Sequence, residues 1–348
     1  MARPAGRYAV IVAIAAAAVI IAAVAFAAPA TVPENPGPKS TLRIAVVTDA
    51  LFSDRGWGES ALNAARFIES EYGFEVSTED NVSIADIEQT LEEYAEGHDL
   101  IIAHGVQWGD PALRVGGRHP EVEIVVFTGL AGSENVASIF PQQQEGSFLL
   151  GALAGMMTET GVIGYVGGEE YPNVVNIFEG YRQGAMAVNP DVRIVGTYLN
   201  DWDNPAKGRE AATSIIRQGA DVVFHVADSS GHGVIESAGE NGVYALGAVR
   251  DQNSLAPGTV LSSFVLDVDK AYGQAVNATL AGTLEGEVYK PGLEAGKGAA
   301  GDGIVYLAPF HALDDRVPAD VKARLQELTE DLLAGELVVP ERLEETSL

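Results

Sequence analysis

Short apolar runs alternate with helix-patterned segments along most of the chain, and this alternation restricts the fold more than any other feature. Residues 42–48, 74–78, 100–104, 122–128 and 136–140 read as strands, with helical spacing over 60–72 and 83–96. A strand with one wet face alternates apolar and polar residues. Several of these runs are apolar almost throughout, which predicts a parallel sheet covered by helices on both faces. The pattern then restarts. Helices are expected at 146–158, 174–188 and 206–217, with another opening at 233–238, and strands at 162–167, 192–199, 221–227 and 243–249. Two βαβ halves in tandem follow. A strand over 259–265 is expected to return to the first lobe, followed by a helix over 268–280, a late strand over 303–307 and a closing amphipathic helix over 319–333. The expected organisation is 41–141 with 262–310 as lobe 1, 142–261 as lobe 2, and 311–348 as a C-terminal helix and tail. A chain of 348 residues is long enough for two such lobes.

The first 40 residues have a different character. Arg3 and Arg7 precede an uncharged, almost wholly apolar stretch from Tyr8 to Ala28, which contains Ala25-Phe26-Ala27, a pattern of the kind signal peptidase accepts. Residues 31–40 are a Pro-rich linker. Residues 1–30 therefore read either as a cleaved secretory signal or as an uncleaved membrane anchor. Both place the remainder outside the cytoplasm, touching a membrane only through this segment. The chain has no Cys, which excludes disulfides, thiolate metal sites, Cys nucleophiles and an acylated N-terminal Cys. With 49 acidic and 21 basic residues the formal charge is −28, which repels nucleic acid. This charge reads either as a solvated surface or as an adaptation to high salt.

In open parallel sheets, ligands bind beyond the carboxyl ends of the strands. After the first strand come Asp49, Asp54 and Trp57. Trp57 sits in a Gly-flanked loop suited to stacking on a flat ligand. Asp49 is placed for the cleft, and capping a helix is the default for Asp54. After the third strand come Gln107 and Asp110, the latter before Pro111 and so equally suited to capping. In the second half, Asn176 and Phe178 are candidates for a polar and a stacking contact, with core packing the alternative for Phe178. Asp228 and Asp251 follow two further strands. Catalytic and cofactor templates fail. Residues 164–168 lack dinucleotide-binding spacing, residues 292–298 are one residue short of a phosphate-binding loop, and the His spacing matches no metal site. No cofactor, metal or catalytic residue is expected.

Six ordered motifs together resemble the basic membrane protein family, whose known members include purine nucleoside receptors of ABC importers. They are Arg43-Ile-Ala-Val-Val-Thr-Asp49, Glu145-Gly-Ser-Phe-Leu-Leu-Gly-Ala-Leu-Ala-Gly155, Gly161-Val-Ile-Gly-Tyr-Val-Gly-Gly168, Asp203-Asn-Pro-Ala-Lys-Gly-Arg-Glu210, Gln218-Gly-Ala-Asp-Val-Val223, and Asp251-Gln252 with Leu255-Ala-Pro-Gly-Thr-Val-Leu261. The resemblance covers about residues 41–310. It implies a type I periplasmic-binding fold with hinge strands between lobes, no enzymatic activity, and ABC permease and ATPase subunits as partners. It also implies that Trp57 takes the place of the first base-stacking aromatic, and that Asp49 and Asp110 match ligand-contacting acids. The second aromatic position falls nearer Ile177, with Phe178 one residue away. Val249 stands where the family has an acid, and Leu266 where it has a Lys that binds ribose. A purine base or another flat polar heterocycle therefore stands beside a nucleoside as the expected ligand. The alternative role is a membrane-tethered sensor that signals to a partner protein.

Overall fold

The computed structural model describes residues 42–296 and 301–344. The proposed signal or anchor and the linker lie outside the described residues.

The first half builds β1 (Ile44–Thr48), α1 (Trp57–Tyr72), β2 (Val76–Glu79), α2 (Ile87–Ala95), β3 (Leu100–His104), α3 (Gly109–Gly116), β4 (Glu123–Phe127) and β5 (Val136–Ile139). The second half builds α4 (Gln143–Met157), β6 (Val162–Gly167), α5 (Pro172–Val188), β7 (Arg193–Tyr198), α6 (Pro205–Arg217), β8 (Val222–Val226), α7 (Asp228–Asn241), β9 (Tyr244–Gly247) and β10 (Val260–Leu266). The chain ends with α8 (Val268–Ala281), β11 (Val288–Tyr289), β12 (Val305–Leu307) and α9 (Ala319–Leu333). The central strands β1, β3, β8 and β10 are buried along their whole length, which is why their sequences do not alternate.

Two six-stranded sheets result, ordered β11-β5-β4-β3-β1-β2 and β12-β10-β9-β8-β6-β7. Each runs parallel except where β12 pairs antiparallel with β10. The order reverses between β1 and β3 in one sheet and between β6 and β8 in the other. The loops leaving those strands diverge there and open a crevice in each lobe.

One expectation is corrected. The strand over 259–265 does not return to the first lobe. As β10 it pairs with β9 in the second sheet, from Val260↔Ala245 to Ser263↔Gly247. The return is made by the next two elements. Helix α8 lies against α1, with the Tyr72 hydroxyl donating to Gly273 O at 3.2 Å, and β11 joins β5. Strand β10 is buried on both faces and mostly apolar, with Ser262 and Ser263 at its middle, and a run of that kind extends either sheet equally well in sequence terms. The 12-residue β9–β10 connection, residues 248–259, just suffices for a parallel crossover within the same sheet.

Helices α4 and α5 pack backbone to backbone. A Cβ at Gly151 would lie 1.9 Å from Tyr181 O, and one at Gly184 1.8 Å from Phe148 O. The small-residue run in α4 thus serves helix contact. The tail after α9 is tied to this pair, with Gln144 Nε2 donating to Val339 O and Arg342 N donating to Asn176 Oδ1.

Candidate functional site

The two crevices face each other and enclose a cavity of about 90 Å³, against roughly 10–15 Å³ for one water. Lobe 1 contributes Asp49 and Asp54 from the loop after β1, Trp57 from the start of α1, Gln107 after β3 and Thr128 after β4. Lobe 2 contributes Gln143, Tyr171, Asn173, Ile177, Trp202, Asp203, Asp228 and Val249.

Trp57 packs one ring face on His104, with centroids 3.8 Å apart, and lies 5.6 Å from Phe127. His104 is itself buried, stacked on Phe127 and hydrogen-bonded to the Tyr272 hydroxyl at 2.7 Å. Burial holds its imidazole neutral, with the pKa pushed down to about 3. Trp57 is therefore a supported aromatic wall. Across the gap, Tyr171 and Trp202 lie 6.0 Å apart. Trp202 rests on the backbone of Gly168, where a Cβ would come within 2.2 Å of the indole.

The polar lining is acidic. Asp49 accepts from Gln107 Nε2 and from Trp108 Nε1. Asp54 accepts three amides at the start of α1, from Gly56 at 2.8 Å, Gly58 at 2.6 Å and Glu59 at 3.0 Å. Asp228 opens α7, and a Cβ at Gly56 on the opposing lobe would lie 3.7 Å from its Oδ1. Burial raises the pKa of Asp49 and of Asp54 despite their hydrogen bonds. Burial, then repulsion from Asp54, Asp203 and Asp49, pushes Asp228 well above the usual carboxylate range. No Lys, Arg or His lines this cavity among the described residues. Gln143 Nε2 and Asn173 Oδ1, two polar atoms with no partner among the described residues, also belong to it. Backbone strain concentrates here: Thr128, Asp228 and Val249 line the cavity at φ values of 66°, 42° and 68°. For Thr128 and Val249, which are β-branched, that conformation is costly and persists only where surrounding structure imposes it.

The expected site residues divide accordingly. Asp49, Asp54, Trp57, Gln107 and Asp228 meet in the cavity, and Asp54 also makes the capping bonds expected of it. Four others do not reach it, and their placement is corrected. Phe178 is buried against Tyr165 at 4.9 Å, because one helical residue turns it about 100° from Ile177, which does face the cavity. Asn176 is buried, donating to Gln144 and accepting from Arg342. Asp110 lies in the first turn of α3, exposed. The 3-10 turn Val106–Trp108 uses the exit from β3 to place Gln107 and Trp108 instead. Asp251 lies beyond the turn at Val249 and pairs with His311 at 2.6 Å. Leu266 does not line the cavity. The sequence reading missed Tyr171, Trp202, Asp203, Gln143 and Asn173. Trp202 and Asp203 follow β7, so the strand-end rule applied to every strand would have found them. Gln143 follows a strand of the other sheet and carries no local signal.

A family model described as ABC transporter substrate-binding protein PnrA-like matches residues 41–299. The chain belongs to this family. Its members are solute-binding proteins and not enzymes. Basic membrane protein A of Borreliella afzelii is 29% identical over 308 residues, covering 86% of this chain and 91% of the relative. A purine-binding protein of Brucella abortus is 29% identical over 288 residues, covering 82% and 79%. Among solved structures, an ABC transporter solute-binding protein from Aeropyrum pernix aligns with a TM-score of 0.77 at 22% identity, over 86% of this chain and 94% of that one. The fold is the type I periplasmic-binding fold.

Proposed function

We propose that this chain is the extracytoplasmic receptor of an ABC importer and that it captures a flat heterocycle rich in N–H donors, a purine base or nucleoside, between its lobes. The observation that carries this reading is the composition of the cavity: aromatic rings on both lobes, carboxylates on both lobes, and no lining cation among the described residues. Aromatic faces bind planar rings of any sequence of atoms. Carboxylates accept hydrogen bonds from amino and imino groups, and they repel phosphate or carboxylate, so nucleotides and organic acids are poor ligands. The Brucella relative described as purine-binding supports the ligand class. The apolar stretch from Tyr8 to Ala28 supports export, as signal or anchor, and the family supports an ABC permease and ATPase as partners.

The test is mass spectrometry of ligand released from the purified protein, followed by calorimetry with adenine, guanine, hypoxanthine and their nucleosides. Micromolar or tighter binding of one of these is expected, with nucleoside monophosphates at least tenfold weaker. A released sugar or amino acid, with no binding of any purine, would overturn the ligand assignment.

A further inference from the structure

Carboxylates from both lobes meet in the cleft, and no cationic side chain lines it among the described residues. Asp49 and Asp54 come from lobe 1, Asp203 and Asp228 from lobe 2, and all four line one cavity. Asp228 reaches across to Gly56, the residue before α1 on the opposing lobe. No group of carboxylates or imidazoles among the described residues is spaced to hold a metal ion. The same cavity contains Gln143, 2% exposed, whose amide nitrogen finds no partner among the described residues and so points to a ligand acceptor. Separating the lobes would part Asp49 and Asp54 from Asp203 and Asp228 and leave the two pairs in water, where they repel one another weakly. In the cleft Asp54 is buried, Asp49 and Asp228 are half-buried and Asp203 is exposed at the rim, so bringing the acids of the two lobes together costs free energy, most of it at the first three, unless one is neutralised.

We infer that closing the lobes requires either a proton on this interlobe carboxylate cluster or ligand N–H donors in its place, so that the empty clamp closes in acid and stays open at neutral pH. This rests on the reading of the cavity as the cleft of a moving clamp. Asp228 is the group most affected, since burial and three neighbouring carboxylates all raise its pKa. Arg55 precedes α1, and His232 lies one turn along α7 with its pKa lowered by burial and then by Arg55. Tyr171 is neutral, its pKa raised by burial and then by Glu169 and Asp49. Glu59 on α1 pairs with Arg250 across the lobes, so that pair is internally balanced. None of these places a positive charge in the cavity lining. The sign follows from linkage. A carboxyl whose pKa is raised in the closed state binds its proton more tightly there, so closure is favoured below that pKa and lost as pH rises through it. For one proton, the closed-to-open ratio changes by up to about tenfold per pH unit between the open-state and closed-state pKa values.

The chain contains no Cys, so two introduced cysteines label it cleanly. Ser53→Cys, after β1, and Glu170→Cys, after β6, are exposed on opposing loops. Spin labels at these positions in the full chain, in detergent, report lobe separation by pulsed electron resonance. Without ligand, the short-distance population should grow severalfold from pH 8 to pH 5. In Asp228→Asn it should already be high at pH 8 and lose most of its pH response. Asp203→Asn should act in the same direction, which protects the test if one variant folds poorly. A distance distribution independent of pH that still shortens on adding guanine or adenine would overturn the inference and leave the clamp reading standing. Distances unmoved by pH and by every purine would overturn both.

Discussion

Trp57→Ala is the most direct probe of the cleft. One face of the indole is covered by His104 at 3.8 Å, which leaves the other as a wall of the cavity. Removing it deletes one stacking surface for the ligand, worth roughly 1–3 kcal/mol per base by alanine substitution. At about 1.4 kcal/mol per decade, the dissociation constant should rise about 5- to 150-fold. The same change also removes the pairing with His104 and Phe127, and a buried aromatic pair contributes about 0.5–1.5 kcal/mol beyond its area. Lobe 1 should therefore melt earlier. The two effects separate experimentally. Trp57→Phe keeps a ring against His104 and should recover most of the affinity and most of the stability, whereas Trp57→Leu should recover stability preferentially. Calorimetry with the tightest-binding purine, together with thermal melts of each variant, gives both quantities. A folded Trp57→Ala protein with unchanged affinity would show that the indole only covers His104, and the aromatic-wall argument would then be wrong.

Phe178→Ala should behave oppositely, losing about 3–5 kcal/mol of stability in denaturant melts with little change in affinity for the folded protein, because Phe178 packs on Tyr165 away from the cavity. Asp110→Ala should leave calorimetric affinity within about twofold, since the residue is exposed outside the cleft; a tenfold loss would place α3 at the ligand. His104 and His225 are both buried, with pKa values pushed down to about 3 and about 4. The unfolded chain takes up those protons near pH 6.5, so each costs stability as pH falls below that value, up to about 2 kcal/mol at pH 5. Two imidazole signals should accordingly stay flat between pH 8 and pH 5 in proton resonance spectra, and titration of all six histidines near 6.5 would contradict the burial argument. The charge of −28 should make the melting temperature rise between low and molar salt, as the screening length falls from about 30 Å to about 3 Å; a flat response would leave salt adaptation without support.

The sequence by itself determined the elements and the class of fold. Strands such as β3 and β6 carry apolar residues on both faces, and only a sheet covered on both sides accepts them, so their extents were legible from composition alone. Local geometry was legible too: Asp54 lies two residues before Gly56 and four before Gly58, a spacing that lets one carboxylate serve several amides at a helix start. The strand-end rule singled out Asp49, Trp57 and Asp228, and all three line the crevice. What only the tertiary structure decided was which of several adjacent side chains faces inward and which sheet a strand joins. Ile177 rather than Phe178 meets the cavity because a helical step rotates the side chain by about 100°, and the packing of α5 on Tyr165 sets that rotation. Strand β10 pairs with β9, which its sequence did not announce because strand pairing is a contact between backbones that mostly apolar side chains specify weakly. Gln143 and Asp203 reach one cavity only because two separately folded crevices close on each other, and no spacing along the chain encodes the distance between lobes.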